Sequence, residues 1–317
     1  MSGEPVATSN LRLIRPKKLK QGDSVGVVAP AGPVDPAHLE EGLAVIRGMG
    51  FQPVLGRFVN DRANFLAGAD EDRADDLMVM FQDPEIKAIF CARGGYGVNR
   101  VLPLLDPKII RKNPKVVVGS SDITLLLIYL LQKCGLVSFH GPMVAGSFGC
   151  KPMKISKTQF RKVLTGVKEG GHLTAPQAHV LQEGTARGKL VGGCLTLLCR
   201  SLRTPYEIQT RDGILLIEDV NEPAYRIDGM LWQLKAAGKF RGVKGIVFGE
   251  MINCRFGDGQ KGKLEDLFRD IVPNRSIPVL TNCPVGHGNE MWTLPLGVEA
   301  TLDTDTKSLR LKTNGVA

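Results

Sequence analysis

Hydrophobic positions in the first half of the chain follow two alternating patterns. Short apolar runs, beginning with Ser24-Val25-Gly26-Val27-Val28-Ala29-Pro30, read as parallel strands buried on both faces. Between them, apolar residues recur at helical spacing. Leu39, Leu43 and Ile46 share one face of a helix that Asp35 caps, Pro36 opens and Gly50 ends. The alternation predicts a helix over 70–81, a strand over 86–92, a short helix, a strand over 116–118, a helix over 123–133 and a strand over 136–139. Such a succession implies a parallel sheet covered by helices.

The pattern loosens over 168–188, where Gly170, Gly171, Pro176, Gly184 and Gly188 accumulate. A linker is expected there. Beyond it, strands over 213–217, 245–248, 300–302 and 308–311 mix with helices. One helix carries Pro223 in its first turn, Ile227, Met230, Leu231 and Leu234 on one face, and Gly238 as its stop. The expected architecture is α/β: a Rossmann-like parallel-sheet domain over 21–167, the linker 168–188, and a mixed-sheet α+β domain over 189–317.

Composition narrows the functional classes. Of 317 residues, 43% are hydrophobic and 23% charged, as in folded globular chains. The longest apolar run, Ile123 to Leu131, is about half of the roughly 18 residues that a membrane span needs. The polar start, Met1 to Asn10, has no signal-peptide core. Seven cysteines without a CxxC pair suit buried thiols in a reducing, cytoplasmic compartment. No histidine–carboxylate pair has metal-ligand spacing, so neither metal nor cofactor is expected. The net charge of +9 raises nucleic acid as a partner. However, the basic runs 15–20 and 151–162 lack interleaved aromatics and any helix-turn-helix or zinc-finger spacing. They suit a solvated face or an attraction for anionic substrates.

Four segments carry candidate chemistry. In Lys115-Val116-Val117-Val118-Gly119-Ser120-Ser121-Asp122-Ile123-Thr124 a buried strand meets a glycine, a serine pair and an apolar helix. That turn lifts a hydroxyl toward the free helix amides, where an oxyanion could develop. From the turn alone, a simple helix cap by Ser120, Ser121 or Asp122 is the commoner role of such residues. Ala92-Arg93-Gly94-Gly95-Tyr96-Gly97 is a second glycine turn after a strand. Without a Walker lysine or dinucleotide spacing, Gly94 or Gly95 fits an oxyanion contribution at least as well as a phosphate loop. Arg93 could clamp a substrate carboxylate or form a surface ion pair.

In the third segment, Gly213-Ile214-Leu215-Leu216-Ile217-Glu218, the apolar run places Glu218 at a buried strand end. Glu222 precedes a helix, where the dipole already favours a carboxylate. The fourth is Pro284-Val285-Gly286-His287-Gly288-Asn289. Of five histidines, His38 falls on a surface helix, His172 and His179 in the linker, and His140 at a strand end, where it could line a site but better suits a hydrogen-bonded structural role. His287, between glycines, could serve as base to the serine if a carboxylate oriented it.

Together these segments resemble the LD-carboxypeptidase family of serine peptidases. The distinctive motifs, in family order, are Arg93-Gly94-Gly95-Tyr96-Gly97, Gly119-Ser120-Ser121-Asp122, Phe139-His140-Gly141-Pro142-Met143, Glu218-Asp219-Val220-Asn221-Glu222 and Gly286-His287-Gly288. The resemblance implies a site between two domains, with Ser121 as nucleophile, Glu218 as orienting acid and His287 as base. The Asp122 backbone and the Gly94-Gly95 turn would complete the oxyanion hole. It also implies a homodimer that needs no metal and removes the terminal D-alanine of muropeptide tetrapeptides during cell-wall recycling.

The chain departs from the family where Cys194 replaces a usual asparagine, Val285 an often aromatic residue, and Gly229 an often basic one. These positions bear on substrate preference, and a related branch hydrolyses peptidyl-nucleotide antibiotics of the microcin type. The rivals are an α/β-hydrolase esterase, whose GxSxG would require glycine where Ile123 stands, and a non-catalytic protein that binds an anionic peptide or nucleotide.

Overall fold

In the computed structural model, which describes residues 11–150, 156–167, 171–272 and 277–317, the first apolar runs become strands as expected. They are β1 (Ser24–Val28), β2 (Gln52–Leu55), β3 (Ile86–Cys91), β4 (Val116–Gly119) and β5 (Ser138–His140). Helices α1 (Pro36–Gly48), α2 (Asp70–Gln82), α3 (Val98–Val101), α4 (Pro107–Lys112) and α5 (Thr124–Cys134) alternate with them, and α6 (Lys157–Leu164) follows. Asp35 caps α1, accepting the Ala37 and His38 amides at 2.9 and 3.1 Å. The basic run 151–162 is described only from its sixth residue.

The second half contains β6 (His172–Thr174), β7 (His179–Gln182), β8 (Thr185–Cys194), α7 (Leu195–Ser201), β9 (Gly213–Val220), α8 (Ala224–Ala236) and β10 (Gly245–Ile252). It ends with α9 (Leu264–Ile271), β11 (Val279–Cys283), β12 (Leu294–Leu296), β13 (Glu299–Asp303) and β14 (Ser308–Leu311). Pro223 stands at the N-cap of α8, just outside its first turn.

Among the described residues the strands form two sheets. The first runs β12-β5-β4-β3-β1-β2 and is parallel except for its β12 edge; the second runs β6-β14-β13-β8-β9-β10-β11-β7 and is mixed. This is the two-domain α/β fold expected, with two local differences. The segment 168–188, read above as a linker, holds β6, β7 and the start of β8, and β6 and β7 are the two edge strands of the second sheet. Their partners, β14 and β11, lie about a hundred residues away or more, so local texture could not reveal the pairing. Conversely, β12 leaves the second half and pairs antiparallel with β5, with Leu294 opposite His140.

The carboxyl ends of β4 and β8, parallel strands of the two sheets, meet through Thr124, and it is outside such strand ends that open α/β sheets place ligands. Thr124, at the start of α5, accepts the Cys194 amide at 3.2 Å from the end of β8. Cys194 in turn lies in register with Glu218 on β9. A side chain at Gly193 would collide with Thr124, its Cβ 2.7 Å from Cγ2. The serine turn and the Glu218 strand end are thus held face to face.

Candidate active site

The turn after β4 is built by crowding. A Cβ at Gly119 would lie 2.6 Å from Ile123 Cγ2, so only glycine lets the chain fold back there. Ser120 follows in extended conformation and is buried. Ser121 has φ +58°, in the left-handed region that costs a non-glycine residue on the order of 1–3 kcal/mol when it is held there. A 3₁₀ turn over Ser121–Ile123 then leads into α5. Neither serine nor Asp122 caps these turns through its side chain, so the capping alternative fails.

The Asp122 side chain points elsewhere. Its Oδ2 accepts the Val98 amide at 2.8 Å and so ties the serine turn to the end of the glycine turn. Burial raises the Asp122 pKa, and the Val98 amide opposes that rise. From the other side the buried Arg73 guanidinium donates to Pro30 O at 2.6 Å and Gly97 O at 3.0 Å, while pairing with Asp70. The glycine turn is clamped between Asp122 and Arg73.

This clamp presses Gly94 against Ser121. A Cβ at Gly94 would lie 2.7 Å from Ser121 Cβ, 3.0 Å from its Oγ and 3.3 Å from the Asp122 amide nitrogen. Gly95 is exposed, with φ +107°. Arg93 is exposed and donates to Pro33 O at 2.7 Å, and among the described residues it makes no ion pair. Tyr96 lies edge-on to Phe65, and Arg200 from α7 reaches over its ring at 5.7 Å.

On the side of the second sheet, His287 Nδ1 lies 2.8 Å from Glu218 Oε2. Glu218 is fully buried, which works against its charge, yet His287 outweighs burial and holds the carboxyl below its ordinary pKa. Burial likewise opposes a charge on His287, but Glu218 wins and raises its pKa. Glycines make the approach possible. At Gly286, φ +115°, a Cβ would sit 2.6 Å from Glu218 Oε2, and at Gly249 one would sit 2.9 Å from Glu218 Cβ. Beside this loop, burial and Glu290 push the Glu250 carboxyl up to about 6.

The structure therefore brings Glu218 and His287 together and packs Gly94 against both Ser121 and the Asp122 amide. Among the described residues no hydrogen bond joins Ser121 to His287; such bonds often tighten only when substrate binds. Glu222 pairs with Arg226 at 2.9 Å. Asp219 is satisfied locally by the Thr196 amide and hydroxyl and by the Val220 amide. Cys194 is buried, and burial raises its thiol pKa well above its ordinary value. His38 is exposed, and His172 and His179 lie on edge strands.

Sequence reasoning missed Arg73, Arg200 and the Asp122 carboxylate. Arg73 follows Asp70-Glu71-Asp72 and reads as a surface cation. Its spacing four residues before Leu77 and seven before Met80, on the buried stripe of α2, was the available signal.

Residues 25–141 match the LD-carboxypeptidase N-terminal domain and residues 187–302 the LD-carboxypeptidase C-terminal domain. The chain belongs to the LD-carboxypeptidase family of serine peptidases. It is 38% identical to the probable murein peptide carboxypeptidase of Bacillus subtilis (strain 168), over 93% of each chain. It is 28% identical to the microcin C7 self-immunity protein MccF of Escherichia coli, over 92% of this chain and 94% of that one. The solved apo wild-type MccF superposes with a TM-score of 0.89 at 26% identity, covering 96% of this chain and 100% of that chain. The muramoyltetrapeptide carboxypeptidase from Oxalobacter formigenes superposes with a TM-score of 0.80 at 30% identity, covering 91% and 97%. Among the described residues no helix is long and apolar enough to cross a membrane, and no three metal-binding side chains gather as a metal site would require.

Proposed function

We propose that this protein is a serine carboxypeptidase that hydrolyses the terminal L-to-D peptide bond of muropeptide tetrapeptides and releases D-alanine. Ser121 Oγ attacks the scissile carbonyl while His287 Nε2 takes its proton, and Nδ1–H donates to Glu218 Oε2 throughout. The proton passes to the departing D-alanine amine. Water then enters and gives a proton to His287 as its oxygen bonds the acyl carbon; the acyl–Oγ bond breaks, and His287 returns the proton to Ser121 Oγ. The amides of Asp122 and of Gly94 or Gly95 serve as the oxyanion hole. Arg93 holds a substrate carboxylate by the guanidinium edge that Pro33 does not occupy.

The observation that carries this proposal is the 2.8 Å Glu218–His287 pair, its carboxylate on a strand whose neighbour bonds to Thr124, three residues past a left-handed serine packed on Gly94. Names of relatives supply the substrate class: murein peptides in Bacillus subtilis, a muramoyltetrapeptide in Oxalobacter formigenes. The likeness to MccF favours one second reading, hydrolysis of a peptidyl-nucleotide. In this account the enzyme is cytoplasmic, homodimeric and active in cell-wall recycling, its site lying between units 21–167 and 189–317. It has no nucleic-acid or membrane partner, and no metal or cofactor takes part.

Mass analysis of a panel before and after incubation tests it. Loss of a single C-terminal D-amino acid from L-D linked tetrapeptides, with all-L peptides and a peptidyl-nucleotide left intact, is expected. Equal turnover of all-L peptides, or faster turnover of the nucleotide, would refute the stated specificity.

A further inference from the structure

His140 has no part in the chemistry above, yet it is fully buried beside it. Strand register sets its place. On β5 it lies opposite Gly119, the residue before the serine pair, and on its other side opposite Leu294 of β12. Side chains alternate along a strand. Phe139 enters the core shared with α1 and α6, whereas Ser138 turns to the α5 face and donates to Leu127 O at 3.3 Å. His140 points to that same face, toward the second sheet.

A histidine so placed would ordinarily be hydrogen-bonded through its ring, as the sequence suggested. It is not: both Nδ1 and Nε2 are buried without a partner among the described residues. The same holds for Glu218 Oε1, the carboxylate oxygen that His287 leaves free. The strand ends bring the groups toward one another: His140 lies opposite Gly119 at the end of β4, while Glu218 lies opposite Cys194, whose amide bonds to Thr124 just past the serine turn. Burial pushes the His140 pKa down to about 4, so the ring is neutral at working pH. A neutral imidazole carries one N–H donor and one acceptor, and the buried carboxylate oxygen lacks a donor.

The geometry points to His140 as a second positioning residue for Glu218, its ring donating an N–H that reaches Oε1 across one water. This rests on the reading of Glu218 as the acid that orients His287. The carboxylate is then held on both oxygens by two imidazoles and cannot rotate away from His287. Because the His140 donor is uncharged, it fixes the carboxylate without cancelling the negative charge that stabilises the imidazolium.

Two substitutions separate this role from packing. His140→Phe keeps an apolar ring in an apolar wall but removes the donor; His140→Gln gives up the ring and keeps an N–H. With both variants shown to be folded by cooperative melting, kcat for the tetrapeptide should fall about tenfold or more in His140→Phe with KM unchanged. His140→Gln should recover most of that loss. The second readout is the downfield proton resonance of His287 Nδ1–H. It should broaden in His140→Phe and persist in His140→Gln. Wild-type kcat and an unaltered resonance in His140→Phe, or a His140→Gln no better than His140→Phe, would overturn the assignment. The resonance needs no substrate. Failure of the wild type to cleave muropeptide would therefore count against the proposed substrate and leave this test standing.

Discussion

Gly94 and Ser121 touch so closely that any side chain at Gly94 would push the serine aside: its Cβ would stand 2.7 Å from that of Ser121. The contact sets the floor on which the serine rests, and it also puts the glycine turn beside the Asp122 amide. Gly94 does not have the positive φ of its neighbour Gly95, so alanine suits its backbone and the collision with Ser121 is its main effect. Gly94→Ala should fold, with a melting temperature within a few degrees of wild type, and lose on the order of a hundredfold in kcat. A variant with full activity would show that the contact does not position the nucleophile.

The serine pair divides its labour. Ser120 is extended and buried, whereas Ser121 is left-handed and faces Gly94. Ser121→Ala should abolish turnover while leaving substrate binding largely intact, and Ser120→Ala should keep most activity. Stoichiometric labelling by a fluorophosphonate, located by peptide mass mapping, checks the assignment. A label on Ser120, or an active Ser121→Ala, would overturn it.

Much of this site was legible in the sequence because it sits where strand, turn and helix patterns meet. The buried run 116–118 before Gly119-Ser120-Ser121 located the end of β4 without tertiary information, and the run 213–217 located β9, which continues past Glu218 to Val220. Contacts made by distant segments were not legible. Edge strands β6 and β7 find partners far along the chain, and β12 crosses to the first sheet. Nor does the residue type of Asp122 tell a cap from the acceptor for Val98 that it is.

Charge on Glu218 should govern the pH profile. Since a neutral His287 is needed as base, kcat/KM falls as pH drops through the His287 pKa, which Glu218 holds above its ordinary value against burial. Glu218→Gln removes the attraction and leaves burial, so the acid limb should move to lower pH. The maximal rate should fall on the order of 10⁴-fold through loss of the correct tautomer. Glu222→Gln loses only its Arg226 partner, worth about 0.5 kcal/mol of stability, and should keep its profile. A pH-rate series on both variants decides; an unmoved acid limb in Glu218→Gln, or a large loss in Glu222→Gln, would reverse the roles.

The clamp on the glycine turn predicts losses of stability together with activity. Asp122→Ala leaves the buried Val98 amide without its acceptor, at a cost of about 1–3 kcal/mol. Arg73→Met strips donors from Pro30 O and Gly97 O and should cost at least as much. Urea titration beside kcat measurement is the check. Both variants should lose kcat even where they remain fully folded, and full kcat in either would separate the clamp from catalysis.

The central claim is that Ser121, served by His287 and Glu218, cuts an L-to-D bond at a peptide C-terminus. The most direct test incubates a tetrapeptide muropeptide with wild type and with Ser121→Ala under identical conditions and measures free D-alanine. The account predicts one D-alanine per peptide from the wild type, with the tripeptide as sole co-product, and none from Ser121→Ala. D-alanine released equally by both proteins, or a wild type that leaves the tetrapeptide whole, would contradict it.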